Sequence, residues 1–139
     1  MADIIVTAAN VRPDTTKPLV RGTAGEAITA GQLCALNASN LWVKYDSNLV
    51  GVSSLLVLAI AMNNAPSANQ PIDLQSADGA SVNLGATLVV GTIYAASETA
   101  GGIAPVADLV TGETVSIVGV ATTSALITLA IRNFAVAVP

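Results

Sequence analysis

One cysteine, nine carboxylates, five bases and no histidine are what this 139-residue chain brings to chemistry. Cys34 lies between Leu33 and Ala35 in an apolar, strand-like stretch. A catalytic thiol wants an imidazole partner, so Cys34 reads as a small buried hydrophobe. With no second cysteine, no disulfide forms within the chain. The lack of histidine excludes Ser-His-Asp and Cys-His catalysis. Zinc needs Cys or His clusters or several carboxylates. The acids Asp3, Asp14, Glu26, Asp46, Asp73, Asp78, Glu98, Asp108 and Glu113 are scattered, without the Asp/Asn-rich spacing of a calcium loop. Two acids brought together by folding could make a glycosidase-like pair, the one enzymatic reading left open. Gly101-Gly102 leads to Pro105 and not to a Lys-Ser or Lys-Thr pair, and no GxGxxG spacing occurs, so no phosphate loop is expected. The expectation is a protein that is not an enzyme, with no catalytic residue, metal, cofactor or small-molecule substrate. Asn37-Ala38-Ser39 matches a glycosylation sequon by chance.

The bases Arg12, Lys17, Arg21, Lys44 and Arg132 form no dense cluster, which argues against nucleic acid as a partner and against a polybasic membrane patch. Trp42 and Tyr45 flank Lys44 in Leu41-Trp42-Val43-Lys44-Tyr45. On a strand Trp42 and Lys44 share one face, and Leu41, Val43 and Tyr45 the other. The sharp reading is a sugar-stacking platform; the bland one, core or subunit contact, is favoured in a chain with only 3% aromatics.

The elements that would position these residues are strands. Hydrophobic residues make up 53% of the chain and charged residues 10%, against about 25% charged in an average domain. So few charges protect a dispersed monomer poorly, and apolar patches left in the open usually mark contacts; assembly with other chains is expected. Ala80, Val82, Leu84, Ala86, Leu88 and Val90 alternate with Ser81, Asn83, Gly85 and Thr87, the period of a sheet with one buried face. Gly85 is placed at a bend or bulge within it. Ile72 and Leu74, and Ile127, Leu129 and Ile131, alternate in the same way. Three short stretches, Thr29-Ala30-Gly31-Gln32, Ser67-Ala68-Asn69-Gln70 and Val110-Thr111-Gly112-Glu113, put Gly or Asn before Gln or Glu, where a positive φ makes a tight turn into a strand.

Val57 to Met62 reads as a strand buried on both faces, and Ser47 to Leu56 as the one place for a short helix, capped by Asp46 or Ser47. The apolar tail Phe134 to Pro139 is expected to dock as an edge strand on its own sheet or a neighbour's. Leu49 to Met62 is too short and interrupted to span a membrane, an outer-membrane barrel would want aromatic girdles, and the acidic N-terminus does not read as a secretory signal. The expected fold is all-β: a compact β-barrel or sandwich with at most one short helix. Residues 1–24, with Arg12-Pro13-Asp14-Thr15-Thr16-Lys17-Pro18 at their centre, are read as an extended N-terminal arm, and 25–139 as the barrel-like body with its C-terminal edge segment.

From Gly25 to Ile131 the chain resembles the small capsid decoration (cement) proteins of tailed bacteriophages. The residues that carry the likeness are Gly25-Glu26-Ala27-Ile28-Thr29-Ala30-Gly31-Gln32, Leu58-Ala59-Ile60-Ala61-Met62 with Asn69-Gln70-Pro71-Ile72, Gly91-Thr92-Ile93-Tyr94 with Ala100-Gly101-Gly102-Ile103-Ala104-Pro105, and Gly119-Val120-Ala121 with Leu126-Ile127-Thr128-Leu129-Ala130-Ile131. The resemblance implies a homotrimer on the outer surface of the virion, bound to the major capsid protein and clipped on by its arm. Ile4, Ile5 and Val6 would then pair with a capsid strand, and Arg12, Lys17 and Arg21 would meet acidic capsid surface. Trp42, Tyr45, Tyr94 and Phe134 are the candidates for oligomer contacts. The alternatives are another virion module, such as a tail or fibre component, or a carbohydrate-binding adhesin using Trp42 and Tyr45.

Overall fold

A computed structural model describes residues 3–48 and 57–139. In chain order the strands are β1 (Val11–Arg12), β2 (Val20–Thr23), β3 (Leu33–Leu36), β4 (Trp42–Lys44), β5 (Leu58–Ala61), β6 (Pro71–Gln75), β7 (Ser81–Leu84), β8 (Ile93–Ala96), β9 (Ile103–Pro105), β10 (Thr114–Ala121) and β11 (Leu126–Ala137). Two single-turn 3-10 segments, Ala8–Asn10 and Val106–Asp108, are the helical elements among the described residues. The protein is all-β, as expected. Of the expected helix, Ser47 and Asn48 lie in a turn and residues 49–56 lie outside the described residues. Ser47 Oγ is engaged elsewhere, and Asp46 accepts the Asn48 N–H at 2.8 Å, closing the turn locally.

One sheet runs in the order β1-β7-β11-β10-β8-β9 and the other β2-β6-β5-β3-β4; every pair within them is antiparallel. The alternation seen in the sequence builds both. Val82 and Leu84 of β7 and Ile127 and Leu129 of β11 point inward. Leu33 of β3 and Leu58 and Ile60 of β5 meet them from the opposite sheet. Each such side chain contributes about 1.5–3 kcal/mol when withdrawn from water. β7 stops at Leu84 because Gly85, at φ +67°, turns the chain. The alternation beyond it is therefore not strand, and Val89 and Val90 are left exposed.

The other face of the second sheet has its own core. Cys34, Ala59, Ala61, Ile72 and Leu74 surround Trp42. That sheet curls until Ala24, just past β2, bridges to Trp42 in parallel, with the Gly25 N–H donating to the Trp42 carbonyl at 2.7 Å. The indole lies so close over Gly22 that a Cβ there would collide with it. Strands β3 and β5 are thus buried on both faces, and the two-sided reading of Val57–Met62 holds for Leu58–Ala61. Curling of this kind also removes open edges, where other chains could pair.

The three predicted turns form with the predicted residue at positive φ: Gly31 at +90°, Asn69 at +70° and Gly112 at +94°. The residue after each folds its side chain back over the turn. Gln32 Oε1 accepts the Thr29 N–H at 2.9 Å, Gln70 Oε1 the Ser67 N–H at 3.4 Å, and Glu113 Oε2 the Val110 N–H at 2.6 Å. The Gln or Glu is therefore part of the turn, satisfying a backbone donor that the tight geometry leaves over.

Candidate interaction surface

Residues 3–24 lie against the body and complete both sheets. Ile4 donates its N–H to Ile103 of β9 at 2.9 Å, and Thr7 donates to Gly85 at 2.8 Å. Val11 and Arg12 then pair with Leu84 and Asn83 of β7. The segment crosses as a strap from the β9 edge of the first sheet to its β7 edge. Farther on, Val20 to Thr23 pair with Leu74 to Pro71. Between the two strands Asp14 is pinned: its N–H donates to Gln75 Oε1 at 2.8 Å, Gln75 Nε2 donates to its carbonyl at 2.9 Å, and its carboxylate accepts the Ser81 N–H at 2.9 Å. The Thr16 hydroxyl, then the Ser81 and Thr16 N–H groups, hold the Asp14 carboxyl down at about 2. Hydrogen bonds to the charged form favour it.

The six residues read as capsid contacts therefore stand in three situations. Ile4 and Val6 are half-buried, Ile4 against the main core and Val6 against Gly31. Ile5 between them is 88% exposed. The bases are all exposed: Arg12 Nη1 donates to the carbonyls of Ala9 and Val11 at 2.8 Å, and Arg21 forms a two-pronged ion pair with Asp73 at 2.9 and 3.1 Å. Lys17 stands in the loop between β1 and β2, its backbone N–H on the Asp14 carbonyl.

The aromatic candidates need correcting. Trp42 is 3% exposed, and Tyr45 and Tyr94 are each 2% exposed, all inside their own chain. A buried phenol needs a partner for its hydroxyl. Tyr45 Oη pairs with Ser116 Oγ at 2.9 Å across the two sheets, and Tyr94 Oη accepts the Val89 N–H at 3.0 Å. These three are core residues, unable to make an oligomer contact, and Trp42 with Tyr45 forms no stacking platform. Phe134, 54% exposed on β11, is open to contact. Its strand docks on β10 of the same chain, one of the two outcomes expected for the tail.

Other apolar residues also stand exposed, among them Val90, which the alternation of the sequence had placed on the buried face. Val89 and Val90 stand in the loop after Gly85, Ile93 at the start of β8, Val110 in the turn before β10, and Val136 beside Phe134. Val89–Val90 sit near the β10–β11 turn, since Leu88 donates to Ser124 and Gly91 to Ala121. Val110 and Val136 sit at the other end of β10, where Gly112 donates to Val138. A polar cleft of about 590 Å³ opens beside the strap, lined by Ile5, Thr7, Asn10, Arg12, Asn83 and Thr87 among others.

The reactive groups are held apart or sequestered. Burial, and then the nearby Glu26 charge, push the Cys34 thiol up to about 12; such a thiol is a poor nucleophile. Glu113 is buried, and its carboxylate accepts Ser47 Oγ at 2.6 Å besides the Val110 N–H. Among the described residues no three His, Cys, Asp or Glu side chains gather where a metal could be held. The Asn37 carboxamide accepts the Ser39 and Leu41 N–H groups at 2.9 and 3.0 Å, so the sequon asparagine builds its turn. No helix among the described residues is long and apolar enough to cross a membrane. Comparison with protein-family models, with curated proteins and with solved structures finds no match.

Proposed function

We propose that this protein is a structural component of a tailed-phage virion, a decoration or cement protein that binds the outer surface of the assembled capsid and stabilises it. The observation that carries the reading is the exposure of Ile5, Val89, Val90, Ile93, Val110, Phe134 and Val136 on a β-body with few charges. Apolar side chains of this size, left in water at both ends of one sheet, mark surfaces that other chains cover. A homotrimer seated on the major capsid protein covers both: one end against neighbouring copies, the other against the shell. Ile5, Arg12, Lys17 and Arg21 are the exposed residues of the N-terminal segment that would meet the capsid. A ligand that binds the closed shell and not its free subunits shifts the balance toward the shell, and repetition over a symmetric lattice multiplies weak contacts.

The test is sedimentation of the purified protein with particles that lack it, followed by heating of the decorated and bare particles. Co-sedimentation and a raised temperature of genome release support the reading. Protein that stays in the supernatant with every particle form contradicts it.

A further inference from the structure

The strap lies in a groove shaped to this one segment. A Cβ on Gly31 would collide with Val6 Cγ1, and one on Gly85 would collide with the Thr7 carbonyl. Both glycines sit at positive φ, where other residues are strained. The groove fits residues 3–7 closely, yet it holds them lightly. Ile4 to Ile103 and Thr7 to Gly85 are the backbone hydrogen bonds that tie this stretch to the sheet. A cavity of about 150 Å³ lies along Ile4 and Val6 on one side, and the larger cleft opens beside Ile5 on the other. The chain is fastened again only at Val11, which is buried, and at Asp14. Between the light and the firm attachments stands one 3-10 turn, Ala8–Asn10, with no buried residue and no side-chain cap.

We propose that the strap is exchanged between copies: residues 3–7 of one chain lie in the β7–β9 groove of the next, with Ala8–Asn10 as the hinge. The occupant is a second copy because the groove is cut for this segment, and a second copy carries it. Exchange conserves every contact of the strap, so the balance between closed and exchanged forms turns on the new surface buried between bodies. That surface adjoins the strap. Ala86, Thr87 and Ala125 line the cleft beside Ile5, and Val89 and Val90 follow in the same loop. No charged residue occurs from 79 to 97 or from 114 to 131, and Arg12 is the one charged residue lining the cleft, so bodies that approach over Val89 and Val90 desolvate little charge. Strap and groove are different surfaces, so the exchange closes either reciprocally, in a two-fold dimer, or head to tail, in a ring. The inference concerns self-assembly alone and does not rest on the capsid reading.

The experiment co-expresses two tagged chains. One carries the photo-cross-linker p-benzoylphenylalanine in place of Ile5, whose exposure lets it be changed without disturbing the core. The other, in large excess, carries Thr87→Ser as a mass label. Oligomers holding both tags are irradiated, and the peptide joined to position 5 is identified by mass. Exchange predicts that this peptide carries the serine label, and so comes from the neighbouring chain. Capture of the unlabelled Thr87 peptide of the same chain overturns the proposal, as does light scattering that shows only monomer at every concentration.

Discussion

The carboxamide of Gln75 and the backbone of Asp14 pair as two peptide groups would, with the Asp14 N–H on Oε1 at 2.8 Å and Nε2 on the Asp14 carbonyl at 2.9 Å. Gln75 is fully buried at the end of β6, and the Asp14 carboxylate reaches β7 through the Ser81 N–H at 2.9 Å. One residue of the N-terminal segment thus ties the two sheets together. Replacing Gln75 by Leu leaves the Asp14 N–H without its partner and the Asp14 carbonyl with the Lys17 N–H alone. The expected loss is about 1–3 kcal/mol, read as a lower denaturation midpoint in urea at unchanged slope.

The same tie makes stability depend on acid. The Asp14 carboxyl is depressed in the folded chain from 3.8 to about 2. A group with a lowered folded value contributes stability above its unfolded value and loses it as pH falls through the folded one. The melting temperature should therefore fall between about pH 4 and pH 2, and Asp14→Asn, stable to a lesser degree at pH 7, should flatten that fall. Asp78, lowered by the Arg132 hydrogen bonds, adds to the loss in the same direction. Thermal melts of both chains across this range check the sign.

The three turns of one kind should respond unequally. Gln32 is half-buried and accepts the one Thr29 N–H on the exposed side of its turn, whereas Glu113 is buried and accepts both the Val110 N–H and the Ser47 hydroxyl. Gln32→Ala should cost about 0.5–1.5 kcal/mol. Glu113→Ala removes both acceptors and leaves the Val110 N–H and the Ser47 hydroxyl without their partner in a buried site, and should cost about 1–3 kcal/mol. Chemical denaturation of the two variants separates them.

The aromatic side chains divide by burial. Trp42→Ala empties the second core and should cost about 3–5 kcal/mol. Phe134→Ser alters an exposed site and should change stability by less than about 0.5 kcal/mol. In the proposed assembly the second change weakens association instead. Denaturation curves and light scattering, run on both variants, make the distinction.

Much of the fold was legible in the sequence because its signals are local. The alternation of Val82 with Leu84, and of Ile127 with Leu129, states which face is buried. Gly31, Asn69 and Gly112 announce turns that only their small or tolerant side chains allow. The N-terminal segment was harder. Arg12 to Pro18 is polar and proline-rich, and its attachments are backbone groups and the side chain of Gln75, 61 residues from Asp14. Nothing near Asp14 encodes that partner. Tyr45 was ambiguous for the same reason: what decides for the core is a hydroxyl partner, Ser116, 71 residues away. Val90 continues an apolar alternation that Gly85 has already ended, so periodicity alone sent it inward, and it stands exposed.

The central claim is that the protein acts through the surfaces it covers, as part of a particle. Electron microscopy of virions made with and without the protein tests it most directly. The account predicts discrete extra density on the outer capsid face, at symmetric positions, that disappears when the protein is withheld. Identical maps from the two preparations would contradict it.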